Sequence, residues 1–132
     1  MEFRESQPIY LQIAEHVCEK ILLREWKPND RAPSVRELAV QLEVNPNTVM
    51  RTYDFLQSKD ILVNERGIGL FVAGKALKHS LSYLQDEFTQ KNLPHVFRRL
   101  VLLQMDIDTL KPYFDKYVKR NFRTLNHATD EA

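Results

Sequence analysis

The stretch Asn45-Pro46-Asn47-Thr48-Val49-Met50-Arg51-Thr52-Tyr53-Asp54-Phe55-Leu56 dictates where a helix begins and which side of it is dry. Asn45 suits the N-cap, because its side-chain oxygen can accept from a free backbone N–H of the first turn. Pro46 then falls at the first helical position, where its missing N–H costs nothing. Val49, Tyr53 and Leu56 recur at helical spacing and form one apolar stripe. This reasoning predicts a helix over 45–59. Its opposite face carries Asn47, Thr48, Met50, Arg51 and Asp54. Amides, a hydroxyl and a guanidinium on an exposed first turn suit phosphates and base edges in a DNA major groove. Alone, the stretch reads more readily as an ordinary amphipathic helix with a wet face, and its neighbours change that.

Upstream, Ser34-Val35-Arg36-Glu37 has the form of a capping box after Pro33. The short helix it opens is expected to bury Leu38, Ala39 and Leu42. Glu43-Val44 then turns directly into Asn45, which gives a helix-turn-helix whose second helix reads. Downstream, 61–65 and 70–72 read as strands around the turn Arg66-Gly67-Ile68-Gly69. A hairpin directly after a reading helix is a wing. Arg66 at its tip suits a minor groove or a phosphate, the alternative being a solvated turn charge. Before the pair, Pro8 can open a helix running to about Glu25, with Ile9, Ile13, Val17 and Ile21 on one face. Residues 1–7 read as a loose arm, and Lys27-Pro28-Asn29-Asp30 as a turn.

Gly74 and Lys75 suggest a boundary between a winged helix-turn-helix over 1–74 and a helical region over 75–132. In the second region Leu77, Leu81, Leu84 and Phe88 share a helical face. Pro94 interrupts or restarts that helix, and Asp106 can cap a last one containing Pro112. The expected fold class is mainly α with a small β-hairpin. Helices with apolar faces and no sheet expose too much surface if left alone, so pairing with a second copy is preferred over folding back onto the first domain. The formal charge is +1, from 19 basic and 18 acidic residues, and 1–74 is itself acidic. Attraction to DNA must therefore come from where the cations sit. A lone cysteine, Cys18, excludes an intrachain disulfide and fits a reducing compartment. No signal-peptide pattern or membrane-spanning apolar run is visible, so a soluble cytoplasmic protein is expected. The histidines at 16, 79, 95 and 127 lack metal-ligand spacing. No nucleophile elbow or phosphate loop occurs, so neither an enzyme nor a bound cofactor or metal is expected.

With these pieces in order, the sequence closely resembles the GntR family of bacterial transcription regulators from Pro8 to Ala73. The matching runs are Pro8-Ile9-Tyr10-Leu11-Gln12-Ile13-Ala14, Lys27-Pro28-Asn29-Asp30-Arg31, Pro33-Ser34-Val35-Arg36-Glu37-Leu38-Ala39, Val44-Asn45-Pro46-Asn47-Thr48-Val49 and Gly67-Ile68-Gly69-Leu70-Phe71-Val72. The short tail is similar to that of the YtrA subgroup, which dimerises through it and lacks a large effector domain. The resemblance implies DNA contacts at Arg36, Asn45, Asn47, Thr48, Arg66 and Gly67, with Ser34 and Arg31 beside the phosphate backbone. Arg51, on the same wet face, joins these candidates. Arg36 has an alternative as an ion pair with Glu37 or Glu43, and Arg31 as a tie of its turn through Asp30. Met50 stands where some relatives carry a contacting Arg, and Asn29 and Asp60 stand where Gly is usual.

The implied function is a homodimeric, sequence-specific repressor on an inverted-repeat operator in double-stranded DNA. Helix 45–59 would lie in the major groove and the 66–69 wing in the minor groove. The alternative is a winged-helix module that binds a protein partner, favoured only by the acidic balance of 1–74. The motifs specify no small-molecule effector.

Overall fold

The computed structural model describes residues 1–122 as six helices and one hairpin. They form two compact units, Met1–Asp86 and the chain from Glu87 onward. Of the histidines named above, His127 lies outside the described residues.

In the first unit, α1 (Ile9–Leu22) buries Ile13, Ala14, Val17, Cys18 and Ile21, the face its four-residue spacing predicts. It stops short of Glu25. Arg24 takes a left-handed φ of 63°, and the N–H groups of Glu25 and Trp26 both turn back to the Lys20 carbonyl. α2 (Val35–Leu42) starts where Ser34 Oγ accepts from the Glu37 N–H at 3.1 Å. Only this half of the capping box forms. Glu43, at φ 57°, ends α2 and lets the chain turn into α3 (Pro46–Ser58). Asn45 Oδ1 accepts from the Asn47 N–H at 2.8 Å, and Pro46 sits in the first turn as its chemistry requires. Val49, Tyr53 and Leu56 are buried against α1 and α2. Full burial stabilises by about 1.5–3 kcal/mol for each large aliphatic side chain, so this stripe anchors α3.

After α3, Asp60 holds φ 57° and leads into β1 (Leu62–Glu65), which pairs antiparallel with β2 (Gly69–Val72). Leu62 faces Val72 and Glu65 faces Gly69 across the ladder. Residues 29–32 add along the free edge of β2. The Asn29 N–H donates to the Val72 carbonyl, the Val72 N–H to Asp30, and the Ala32 N–H to Leu70, each at 2.8 Å. Asn29 makes the entry to this edge with φ 70°. Both residues standing where the family prefers Gly therefore keep the left-handed backbone and carry its cost.

The arm before α1 is not loose. Gln12, buried on α1, accepts from the Arg4 N–H at 2.7 Å and donates to the carbonyls of Arg4 (2.6 Å) and Gln7 (2.8 Å). Phe3 packs on the core. A single amide satisfying three backbone groups leaves no periodic trace in sequence, which is why the arm reads as free.

The helix α4 (Ala76–Glu87) packs mostly on this first unit. Its inner face is Ala76, Leu77, Ser80, Tyr83 and Leu84, not the stripe through Leu81 and Phe88, both of which are exposed. The region expected as a DNA-binding domain, 1–74, thus lies within a larger packing unit.

In the second unit, a π-helical turn at Phe88–Asn92 precedes α5 (Leu93–Leu102). Pro94 has no N–H for the carbonyl four residues back, Gln90, and its ring crowds that carbonyl, so the turn widens. α6 (Ile107–Asn121) opens with a complete capping box between Asp106 and Thr109. These bonds hold the Asp106 carboxyl below its usual range. Pro112 lies inside α6, so the helix starts at the cap and tolerates the missing bond.

Candidate nucleic-acid interface

The rear of α3 is fixed by two buried polar contacts. Tyr53 donates from its hydroxyl to the Pro33 carbonyl at 2.7 Å, which ties the middle of α3 to the entrance of α2. Burial, aided by the Glu37 charge, pushes the phenol pKa up, so it stays a donor. Thr52 donates from Oγ1 to the Tyr10 carbonyl of α1 at 2.8 Å. These bonds set the angle of α3 and leave its other face outward. There Asn47, Met50, Arg51 and Asp54 are exposed and Thr48 half-buried.

Arg36 stands exposed on the first turn of α2. Among the described residues it makes no ion pair or hydrogen bond, so neither Glu37 nor Glu43 engages it. A guanidinium left unpaired keeps all five N–H donors for a ligand. Ser34 and Asn45 are exposed and cap α2 and α3, respectively, so their side-chain oxygens already accept backbone N–H groups. Arg66 and Gly67 form the exposed wing tip, where Gly67 takes φ 78° and the Ile68 N–H closes the turn onto Glu65.

Arg31 does not tie its own turn. Asp30 accepts instead from the Lys27 N–H at 3.1 Å, and Arg31 bridges Phe71 of β2. Its guanidinium lies over Gly69, where an added Cβ would meet Nε at 3.1 Å. A side chain at Gly69 would be strained at φ 143° and would push the Arg31 guanidinium back by a few tenths of an ångström, so glycine favours the approach that joins Arg31 to the wing. Arg51 is likewise engaged, with its Cζ 4.1 Å from the centroid of the Tyr10 ring. Sequence reasoning missed both neighbours, since each pairs residues far apart in the chain.

No cluster of His, Cys, Asp and Glu suited to a metal occurs among the described residues. No described helix is long and apolar enough to cross a membrane.

Comparison with known proteins agrees with this geometry. The model for bacterial regulatory proteins of the gntR family matches residues 9–72. The HTH-type transcriptional regulator YhcF of Bacillus subtilis is 42% identical over 92 residues, covering 70% of this chain and 74% of that protein. The HTH-type transcriptional repressor YtrA of the same organism is 42% identical over 73 residues, or 55% of this chain and 56% of that one. A crystal structure of a GntR-family transcriptional regulator from Bacteroides thetaiotaomicron superposes with a TM-score of 0.69 at 40% identity, covering 85% and 97% of the two chains. Sequence and structure thus agree, and the chain belongs to the GntR family of bacterial regulatory proteins, as a helix-turn-helix regulator similar to its YtrA members.

Proposed function

We propose that this regulator is a homodimeric repressor that binds an inverted-repeat operator, with α3 in the major groove and the 66–69 wing in the minor groove. The observation that carries the reading is the unpaired, exposed Arg36 beside a reading helix whose outward face is equally uncommitted at Asn47 and Met50. Asn47, Thr48 and Met50 would meet base edges, with Met50 limited to apolar contact such as a thymine methyl. Arg36, Arg66, Gly67, Arg31 and the caps Ser34 and Asn45 would line the phosphates. A net charge near zero makes these few cations the source of affinity, so binding weakens steeply with salt.

Dimerisation through 75–132 is supported by the second unit. Val101 is 76% exposed, Tyr113 70% and Phe114 66%, with Phe97, Leu102 and Ile107 also open. Apolar surface on this scale marks an interface. An isologous contact of ordinary size buries about 800 Å² on each partner. Two-fold DNA sites ask for two readers.

Selection of bound sequences from a random DNA pool tests the whole reading. An inverted repeat is expected, and Arg36→Glu should abolish its binding while the far-UV circular dichroism stays unchanged. A protein with no preference over random DNA, or one that sediments as a monomer at micromolar concentration, overturns it.

A further inference from the structure

We propose that Tyr10 is a positioning residue for DNA binding, holding the Arg51 guanidinium over its ring so that the fork meets a backbone phosphate flanking α3. The inference rests on the reading of α3 as the DNA-reading helix. An exposed arginine ordinarily samples many rotamers and loses them on binding. Here Arg51 already has a partner, with its Cζ 4.1 Å from the Tyr10 ring centroid. A guanidinium held over a ring face by its charge still has N–H donors left for a phosphate. Nothing else claims those donors, because Arg51 forms no ion pair or hydrogen bond among the described residues, not even with exposed Asp54 one turn on.

The platform is itself braced by α3. Thr52 bonds the Tyr10 carbonyl at 2.8 Å, and Phe55 meets the Tyr10 ring edge-on at 6.4 Å and 76°. Phe55 in turn meets Tyr83 of α4 at 5.3 Å and 65°. Residues 52 and 55 of one helix therefore brace the ring that Arg51, on the same helix, rests against. Because Tyr10 sits in the first turn of α1, the stack draws Arg51 to the α1 side of the reading helix. That side flanks the first-turn side chains that reach bases, so Arg51 serves as an anchor and not as a reader.

The test uses full-length protein and an operator taken from the random-pool selection, with anisotropy titrations at several salt concentrations. Arg51→Ala should weaken binding to all sequences alike and lower the slope of log K against log salt by about one. Tyr10→Phe should bind like wild type. Pentafluorophenylalanine at position 10 keeps the ring's shape but reverses its facial charge. It should weaken binding about twofold to fivefold, the size of an exposed cation–π contact, and should add nothing in the Arg51→Ala background. An equal loss in both backgrounds overturns the proposal, as does an Arg51→Ala variant with altered preference at a single base pair and an unchanged salt slope. Wild-type protein that selects no sequence fails the regulator reading itself, which is visible before any variant is compared.

Discussion

Replacing Tyr53 with Phe removes one oxygen and isolates one bond. The hydroxyl donates to the Pro33 carbonyl at 2.7 Å in a side chain that is only 2% exposed. The substitution forfeits a net contribution of about 1 kcal/mol and leaves a sheltered carbonyl without its donor, adding about 1 kcal/mol more. A loss of about 2 kcal/mol lowers Tm by roughly 8–16 °C for a unit of this size. Calorimetry and urea titration at pH 7 measure it. The pH dependence supplies a second, stricter check. Burial raises the folded phenol pKa above its unfolded value. The wild-type bond therefore contributes fully below about pH 10, the unfolded value, and fades as pH rises beyond it, because only the unfolded chain ionises there. The difference between wild type and Tyr53→Phe should shrink above pH 10, while every other titrating group cancels between the two proteins. A difference under about 0.5 kcal/mol at pH 7, or one that grows above pH 10, refutes the reasoning.

Three further outcomes follow from the packing. Glu43→Gly should stabilise by about 0.5 kcal/mol, because relief of a left-handed side chain at φ 57° exceeds the freedom glycine gains in the unfolded chain; the urea midpoint reads it, and a lower midpoint contradicts it. Gln12→Leu should cost about 1–3 kcal/mol and free the arm, so that trypsin cuts after Arg4 much faster than in wild type. Cys18 is buried and its thiol pushed up to about 12 by desolvation, an effect the nearby Ser80 hydroxyl partly offsets. It should resist a thiol reagent at pH 8 until urea unfolds the chain, and its share of stability should be lost only as pH climbs from about 9, near the unfolded thiol value, toward 12.

Much of the architecture is written in short-range chemistry. Ser34, Asn45 with Pro46, and Asp106 each mark a helix start within one turn of themselves, and all three helices begin where they say. The wing follows from two glycines and alternating strands. What escapes the sequence is contact between distant residues. The Arg51–Tyr10 stack, the Arg31–Gly69 approach and the Gln12 clamp on the arm all join segments with no shared periodicity. The inner face of α4 was also hidden, because small Ala76 and polar Ser80 fill it while the conspicuous Leu81 stays wet. Hydrophobicity names the stripe only when large side chains occupy it. For Arg36 and Asn47, by contrast, local capping alone implied the exposure that the structure shows.

Four helices here stop at a left-handed residue that carries a side chain: Arg24, Glu43, Asp60 and Gln104. Such stops act on both sides of the folding equilibrium. They strain the native bend, yet they also narrow what the denatured chain explores, so each exchange for glycine returns only the small difference between the two effects. Heat tolerance in this protein can thus drift up or down through its helix ends, without any change at Arg36, Asn47 or Arg66.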